Sequence, residues 1–253
     1  MTTTNMSQRR GHHADSAKAP VNLRDVPAYT FTEASRYLQI PHRTIHDWAS
    51  GAQYRVTAGS RRTEPLIVVA DRESHLLSFV NMIELHVLDG IRNVHKVDMR
   101  IVREALKYVQ RKLGVRHPLA DQQMETDGRT LFMKSLGQLV DLGHDGQIAM
   151  HEMLGLRLKR IERDPNGIAI KLFLFTRSNP HDLESIASEP QVIAIDPGIA
   201  FGRPVISGSR VPTSEVAGRY KAGDSIAQLV NDYGRAQEEI EEAIRCELHL
   251  DAA

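Results

Sequence analysis

Apolar residues recur at helical spacing in two short segments, the second of which ends at Gly51. Gln39–Pro41 separates the segments, since a proline is tolerated only at or before the first turn of a helix. The pair Thr30-x-x-Glu33 is typical of a capping box before the first segment, although Thr32 fits the cap position equally well. Two short helices joined by a three-residue turn are typical of a helix-turn-helix. Their predicted buried stripes comprise Ala34, Leu38, Ile45, Trp48 and Ala49.

The first residues of the second predicted helix are polar and basic. In a helix-turn-helix, this part of the second helix enters the major groove of DNA. An arginine there can donate two hydrogen bonds to guanine, and threonine or histidine can reach a base or a phosphate. The pattern therefore predicts DNA recognition, although an ordinary helical hairpin would show the same apolar spacing. The candidate DNA-binding residues are His42, Arg43, Thr44 and His46.

Residues 52–70 alternate between polar and apolar positions around Ala58-Gly59-Ser60, which predicts a β-hairpin. Arg55, Arg61 and Arg62 are expected near its tip. A basic hairpin after the second helix would form a wing against the phosphate backbone. These three arginines therefore join the candidate DNA-binding residues.

Two longer apolar stripes follow the predicted wing. The first covers Ser74–Leu88, and the second covers Met99–Leu113 after a predicted helix cap at Asp98. We expect these helices to complete the N-terminal domain or to supply part of a dimer interface. The apolar surface of the first helix is broad, and this breadth favours the dimer interface as the interpretation.

The next part of the chain is predicted to be a mixed connector followed by a polar linker. The connector's predicted turn at Asp164–Gly167 rests on its proline and glycine, which favour turn conformations. Its other predicted elements are a strand at Thr130–Met133, a helix at Gln147–Arg163 and a strand at Ile168–Phe175.

Four side chains of the connector that can bind a metal lie close in the sequence: Asp141, His144, Asp145 and His151. The glycines among them predict a turn, so solvated loop acids are expected there rather than a metal site. His12-His13 lies in a polar leader with no third ligand held nearby, so it is not a predicted site either. We predict neither a metal nor a cofactor.

Glycine, proline and arginine are concentrated between Asp196 and Thr213. Val205-Ile206 predicts a short strand and Gly208-Ser209 a hairpin corner. Three amphipathic segments follow between residues 214 and 248, which predicts a trihelical unit. By pattern alone, the glycines and prolines could have a purely structural role.

The patterns together predict a fold that is mainly α with small β elements, an α+β fold. Its predicted parts are a disordered leader (1–26), a winged helix-turn-helix domain (27–119), an α/β connector (120–178), a linker (179–189), and a C-terminal β-hairpin plus trihelical module (190–253).

Charge is distributed unevenly, although the formal net charge of the chain is zero. Residues 1–62 carry nine Lys and Arg against four acids, whereas residues 235–253 carry two against six. This asymmetry favours a basic end that contacts phosphate and an acidic end that does not. The acids of the last helix are expected on its solvent face, opposite Ile240 and Ile244.

Several protein classes are not expected. A single cysteine, Cys246, cannot form a disulfide framework, and no run of about 18 apolar residues predicts a membrane span. Arg9 and Arg10 are not followed by an apolar region, so we do not predict a secretory signal. We predict a cytoplasmic location instead. Neither a phosphate-binding loop nor a zinc-protease or serine-hydrolase motif occurs, so we do not predict an enzyme.

The N-terminal pattern resembles the winged helix-turn-helix of MerR-type regulators. That family's sequence pattern is E-A-x-x-x-L-x-[IV]-P-x-x-T-[IL]-x-x-W, in which most positions specify packing. The residues that meet it are Glu33, Ala34, Leu38, Ile40, Pro41, Thr44, Ile45 and Trp48.

The C-terminal stretch resembles the signature of a VapB-like antitoxin family that was long catalogued as a domain of unknown function. The signature runs D-P-x-I, then G-x-P-x-I-x-G-[ST]-R-[VI]-P, and a helical tail follows. The resemblance covers about residues 190–247 and implies structural or partner-binding roles for the signature positions. They are Asp196, Pro197, Gly202, Pro204, Gly208, Arg210 and Pro212, with Ile199, Ile206, Ser209 and Val211 also matching.

The two resemblances together imply an antitoxin of a type II toxin–antitoxin system. Such a protein would form a homodimer, bind operator DNA for autorepression and neutralise a small nuclease toxin of PIN type or a relative. Most members of the family are short, whereas this chain has a long N-terminal addition. The alternative is a stand-alone MerR-like transcriptional regulator whose connector binds an effector or mediates dimerisation.

Overall fold

The computed structural model describes residues 22–57, 59–93, 97–177 and 182–252, so most of the predicted leader lies outside the described residues. These ranges are mainly helical with small antiparallel sheets, which confirms the α+β fold class. The helices are α1 (Phe31–Leu38), α2 (His42–Ser50), α3 (Phe79–Asn93), α4 (Met99–Leu113), α5 (Asp127–Leu139), α6 (Gly143–Leu158), α7 (Leu183–Ser188), α8 (Thr213–Lys221), α9 (Ile226–Tyr233) and α10 (Gln237–Ala252). The strands are β1 (Tyr29–Thr30), β2 (Gln53–Val56), β3 (Gly59–Arg62), β4 (Leu76–Leu77), β5 (Ile161–Arg163), β6 (Ala169–Phe173), β7 (Ile193–Ile195) and β8 (Pro204–Ile206).

The two helices of the predicted helix-turn-helix form where local signals place them. Thr30 and Glu33 make a complete capping box, in which the Thr30 hydroxyl accepts from the Glu33 amide at 3.1 Å. The left-handed residue Gln39 ends α1, and Pro41 is the N-cap of α2. The predicted stripe residues are all buried, so the packing of the two helices agrees with the periodicity.

The first of the two longer helices differs from its prediction in both its start and its surroundings. Leu76 and Leu77 form β4, which pairs with β1, so α3 begins only at Phe79. Asn81 stabilises this start because its side-chain oxygen accepts from the amides of Ser78 and Ala70 at 3.1 and 3.0 Å. Every residue from Phe79 to Ile91 is buried within the chain. The apolar surface is therefore the centre of the core, and its interpretation as an interface was wrong.

Three secondary-structure predictions for the connector were wrong in whole or in part. Residues 130–133 lie within α5, where Phe132 and Leu136 are buried one turn apart, so tertiary packing overrides their β-branched and aromatic character. Gly143 and Gly146 lie in the first turn of α6 rather than in a loop. That helix ends at Leu158, and residues 161–163 become strand β5 by pairing with β6. The turn at 164–167 is confirmed, since the Gly167 amide donates to the Asp164 carbonyl at 2.9 Å.

One antiparallel sheet of four strands, in the order β5-β6-β7-β8, links the predicted connector to the C-terminal stretch. The segment predicted to be a linker contains α7, and its residues 179–181 lie outside the described ranges. The buried Arg160 crosses this region and donates to the carbonyl oxygens of Leu174, Phe173 and Pro190 at 2.7, 3.0 and 2.9 Å. Burial lowers the pKa of Arg160 to about 10.

The last helix, α10, was expected to carry all of its acids on its solvent face, but one glutamate is buried. Glu242 is only 3% exposed, contrary to the sequence-based expectation. Its carboxylate accepts from Arg177 Nε at 2.9 Å and from Arg245 Nη1 at 2.5 Å, and the Thr176 hydroxyl also donates to it. A carboxylate with several donors can be buried at tolerable cost, which hydrophobic periodicity alone cannot reveal.

Candidate nucleic-acid interface

Helix α2 has one buried face and one open face. Ile45, Trp48 and Ala49 are buried, whereas His42 and Arg43 are exposed and Thr44 and His46 are partly exposed. The Arg43 side chain is 74% exposed. The structure thus brings together the four candidate residues of the predicted recognition helix on a surface that a groove could contact.

Weak local contacts hold Arg43. Its Nε donates to Asp47 one turn later at 3.1 Å, and the pair is open to solvent. An exposed ion pair contributes between about 0 and 1 kcal/mol, so Arg43 can exchange Asp47 for a base or phosphate at little cost. His46 Nδ1 lies 3.6 Å from an Asp47 oxygen, which is longer than a hydrogen bond.

Thr44 is positioned by a residue that the sequence-based analysis did not identify. Arg92 near the end of α3 donates from Nη1 to the Thr44 hydroxyl at 2.7 Å. The Arg92 guanidinium also lies 6.0 Å from the centre of the Trp48 ring. No motif signalled this contact, since the two residues that meet are 48 positions apart in the chain.

A ring cluster orients the histidines of α2. Phe31 packs against His42 and His46 with ring centroids 6.4 and 6.3 Å apart, and against His75 at 5.6 Å. Since Phe31 is buried at the start of α1, the cluster connects the two helices at the edge of the open face.

The predicted wing forms from β2 and β3, which pair as an antiparallel hairpin. Arg55 opposes Ser60 near the tip, Arg61 opposes Tyr54, and Arg62 opposes Gln53 at the base. The expected placement of all three arginines near the tip was therefore wrong for Arg62, because each further pair of the register moves one residue away from the turn.

The three wing arginines are exposed and form no salt bridge within the described ranges. The wing approaches the end of α2 closely at Gly51. A side chain at this position, where φ is +85°, would begin 2.0 Å from the Thr63 carbonyl oxygen. This contact places the hairpin beside α2, with Arg55 and Arg62 on one face of the hairpin and Arg61 on the other.

The signature positions of the C-terminal stretch mostly determine backbone geometry. Asp196 accepts from the Gly198 amide at 2.8 Å, which closes a turn at Pro197. Pro204 lies in β8 opposite Ile195. Gly208 has a φ of +72° at the predicted corner, Arg210 is exposed, and Pro212 is the N-cap of α8.

Gly202 has a second requirement besides its φ of +76°. A Cβ atom here would lie 2.1 Å from the hydroxyl oxygen of Tyr29 in β1. The signature stretch therefore packs directly against the N-terminal domain. Burial raises the pKa of the Tyr29 phenol, with smaller contributions from Tyr37 and Asp196.

Phe201 lies inside the signature stretch but was not among the predicted residues. Its side chain is 92% exposed, and its φ is +57° next to a φ of +49° at Ala200. Each left-handed residue other than glycine costs roughly 1–2 kcal/mol, so the turn holds Phe201 in solvent at a conformational cost. Only the combination of strain and exposure distinguishes this residue, and neither is visible in the sequence.

Within the described ranges, no group of three or more His, Cys, Asp or Glu side chains is arranged to hold a metal ion. Asp141 instead accepts from the Gly143 amide at 2.8 Å at the start of α6, and Cys246 is a buried free thiol. No helix in the described part of the chain has the length and apolar character to cross a membrane.

Two family models match the chain, each over one end. Residues 27–106 match a family described as "Putative DNA-binding HTH domain", and residues 193–245 match "Protein of unknown function (DUF433)". The first match confirms the predicted helix-turn-helix, while the narrower MerR-type assignment stays a prediction.

Two proteins of Mycobacterium tuberculosis (strain ATCC 25618 / H37Rv) are similar over most of their length. One, named "Putative antitoxin VapB45", is 29% identical over 87% of this chain and 93% of its own. The other, "Uncharacterized protein Rv2308", is 23% identical over 88% of this chain and 91% of its own. The first of these names and the helix-turn-helix match fit an antitoxin-like, DNA-binding protein.

A crystal structure of Rv2018 from Mycobacterium tuberculosis has a similar fold. The TM-score is 0.65 at 25% identity, and the match covers 87% of this chain and 98% of that chain. The likeness extends over the helix-turn-helix and the C-terminal stretch together, so their combination in one chain is not peculiar to this protein.

Proposed function

We propose that the protein is a cytoplasmic, non-enzymatic antitoxin that binds its own operator DNA and neutralises a nuclease toxin of PIN type or a relative. The open face of α2 beside the unpaired arginines of the wing is the observation that carries the DNA-binding half. Arg43, His42, Thr44 and His46 are the residues offered to bases or adjacent phosphates, and Arg55, Arg61 and Arg62 are offered to the backbone.

Autorepression follows from the same geometry if the protein is a homodimer. Two copies of α2 would contact half-sites about one helical turn apart, roughly 34–36 Å along the duplex. The operator is then expected to be a near-palindrome whose half-site spacing matches the distance between the two recognition helices.

The antitoxin half is supported by the similarity to the protein named VapB45 and by the exposed turn at Phe201. A fully exposed aromatic side chain on a rigid turn can anchor a partner, because aromatic residues dominate the energetics of protein interfaces. We assign the turn from Asp196 to Arg203 to toxin contact. Gly202 and Pro204, which follow Phe201 in the chain, are buried and fix the end of this turn.

Co-expression with the adjacent reading frame tests the proposal directly. We expect the neighbour to encode a small nuclease that stops growth alone and is harmless with this protein. A neighbour that remains toxic in the presence of this protein contradicts the antitoxin half. A neighbour that is not toxic, together with specific operator binding, favours the alternative of a stand-alone regulator with an effector-binding connector.

A further inference from the structure

A trough leads away from the recognition helix towards α4. Its first part is a cavity of about 300 Å³ between α2, the base of the wing and the beginning of α4. Thr44 and Trp48 lie on one side of this cavity, Thr63 lies at the wing, and Arg100 and Arg103 lie on the other side. The trough thus starts between the two elements to which we assign DNA contact.

The trough continues into a second cavity of about 130 Å³. The two cavities share Leu66 and Arg103, so they adjoin along α4. Arg72, Lys107 and Arg116 line the second cavity as well. Four cationic side chains therefore surround a space in which anionic oxygens could be held.

Most of the positive charge in the second cavity is unpaired. Arg72, Arg103 and Arg116 form no salt bridge with any residue that the structure describes. The Nε atom of Arg103 is enclosed and has no hydrogen-bond partner there. An enclosed donor without an acceptor is unfavourable in the free protein.

The acids in this region already have partners. Glu84 is the acid lining the second cavity, and it accepts from Asn81 Nδ2 and from His117 Nδ1, both at 3.0 Å. Lys107 is paired with Glu64 at 2.5 Å, but this pair lies at the surface and is weak. Asp47 and Asp98 line the first cavity, where they pair with Arg43 at 3.1 Å and with Arg100 at 2.6 Å. The unpaired positive charge of the trough therefore lies mainly in the second cavity.

We propose that the trough binds phosphates of the DNA duplex whose bases α2 contacts, so that α4 is a further backbone-binding element. The proposal rests on the proposed DNA binding and extends it. Arg100 and Lys107 are seven residues apart on α4, which is roughly 10 Å along the helix axis. The cationic residues of α4 therefore extend over about two turns of the helix. Lys107 and Arg116 lie beyond residue 106, where the helix-turn-helix family match ends.

The salt dependence of binding to a random-sequence duplex of about 30 base pairs tests this assignment without knowledge of the operator. Each lost phosphate contact lowers the slope of log affinity against log salt by about 0.9, so Arg103→Gln with Arg116→Gln should lower it by about 1.8. Lys134→Gln is the matched control, because Lys134 is exposed on α5, away from the trough. Its slope should equal that of the wild type.

Folding is checked by the thermal midpoint of each variant. If the Arg103 variant is unfolded, Arg72→Gln with Arg116→Gln replaces it, since both of these side chains are exposed. A reduced slope in that pair supports the proposal equally.

Other outcomes overturn the proposal in distinguishable ways. If wild type does not bind DNA at low salt, the proposed function and this extension both fail. If wild type binds and Arg61→Ala lowers the slope, but the trough variants do not, α4 has no phosphate role while the proposed function stands. Titration with inorganic phosphate tests whether the trough binds a free anion rather than DNA. Phosphate binding that the trough variants abolish, at an unchanged DNA slope, would make the trough a site for a free anion.

Discussion

The N-terminal helix-turn-helix and the C-terminal signature stretch use their distinctive residues in opposite ways. On α2, the polar residues of the motif point outward, and Arg43 is held only by an exposed ion pair. In the signature stretch, Gly202 and Pro204 are buried and determine the path of the chain, while the exposed Phe201 is not one of the matching positions. A pattern of glycines and prolines thus marks backbone geometry, and the side chain available to a partner lies between the fixed positions.

The two regions also meet. Tyr29 of the first strand contacts Gly202 of the signature stretch. A partner that binds Phe201 would therefore contact the residue next to Gly202, where the C-terminal stretch touches the N-terminal domain. The predictions below test whether the two regions have separate roles despite this contact.

Gly202→Ala is expected to have the largest effect on stability. A left-handed alanine and a Cβ atom 2.1 Å from the Tyr29 hydroxyl should together lower the free energy of unfolding by about 2–5 kcal/mol. Chemical denaturation followed by the fluorescence of the single tryptophan, Trp48, measures the change. Gly218→Ala is the control, because Gly218 lies within α8 with open space around it. This substitution should raise the free energy of unfolding by at most about 1 kcal/mol. Equal stability of the two variants would show that the contact between the regions contributes little.

Phe201→Ala should weaken toxin binding by about 2–4 kcal/mol and leave the free energy of unfolding unchanged. The physical reason is that the side chain contacts solvent in the free protein and would lose its buried area only in the complex. Tyr220→Ala removes another exposed aromatic from the same end of the chain, at α8, and should have no such effect. Isothermal titration of the purified toxin measures both. Full affinity in the Phe201 variant would exclude this turn from the toxin interface.

Arg43→Ala should reduce the discrimination between operator and random DNA by about 1–3 kcal/mol, the contribution of a base contact made by an arginine. Competition binding at constant salt measures the ratio of the two affinities. A ratio equal to that of the wild type would mean that the open face of α2 does not recognise bases.

The elements that the sequence predicted well depend on local chemistry. The capping box at Thr30 and the cap at Asp98 both formed as expected, because each depends on residues within one turn. Periodicity likewise placed Trp48 in the core.

The features that the sequence could not predict depend on distant partners. Residues 130–133 became helical through packing, and β4 displaced the start of α3 by pairing with Tyr29–Thr30. Arg92 reaches Thr44 across the fold. The exposure of Phe201 likewise requires knowledge of where the neighbouring chain turns.

His86 on the central helix α3, where α3 contacts the connector, predicts a pH effect on stability. Burial lowers the pKa of His86 well below its ordinary value, and the nearby Arg157 and Arg160 lower it further. Because the unfolded chain binds this proton near pH 6.5 and the folded chain does not, stability is complete above that pH and is lost as pH falls. The expected loss is about 1.4 kcal/mol per pH unit below about 6.5.

The comparison with His86→Gln isolates this contribution, since other titrating groups are common to both proteins. Unfolding free energies at neutral and mildly acidic pH should converge between wild type and variant as pH falls. His75→Gln, at an exposed position, serves as the control. A parallel loss in wild type and the His86 variant would show that acid sensitivity arises elsewhere.

Arg61→Ala should have the smallest effect and is the most direct test of how the wing differs from the recognition helix. Arg61 is exposed on β3 opposite Tyr54 and has no ion pair within the described residues, so its removal should not alter the fold. Binding to operator and to random DNA should weaken by the same factor, and the salt slope should fall by about 0.9. The ratio of the two affinities should therefore stay at its wild-type value, in contrast to Arg43→Ala. If the operator affinity falls more than the random-DNA affinity, the wing recognises bases too, and specificity cannot be assigned to α2 alone.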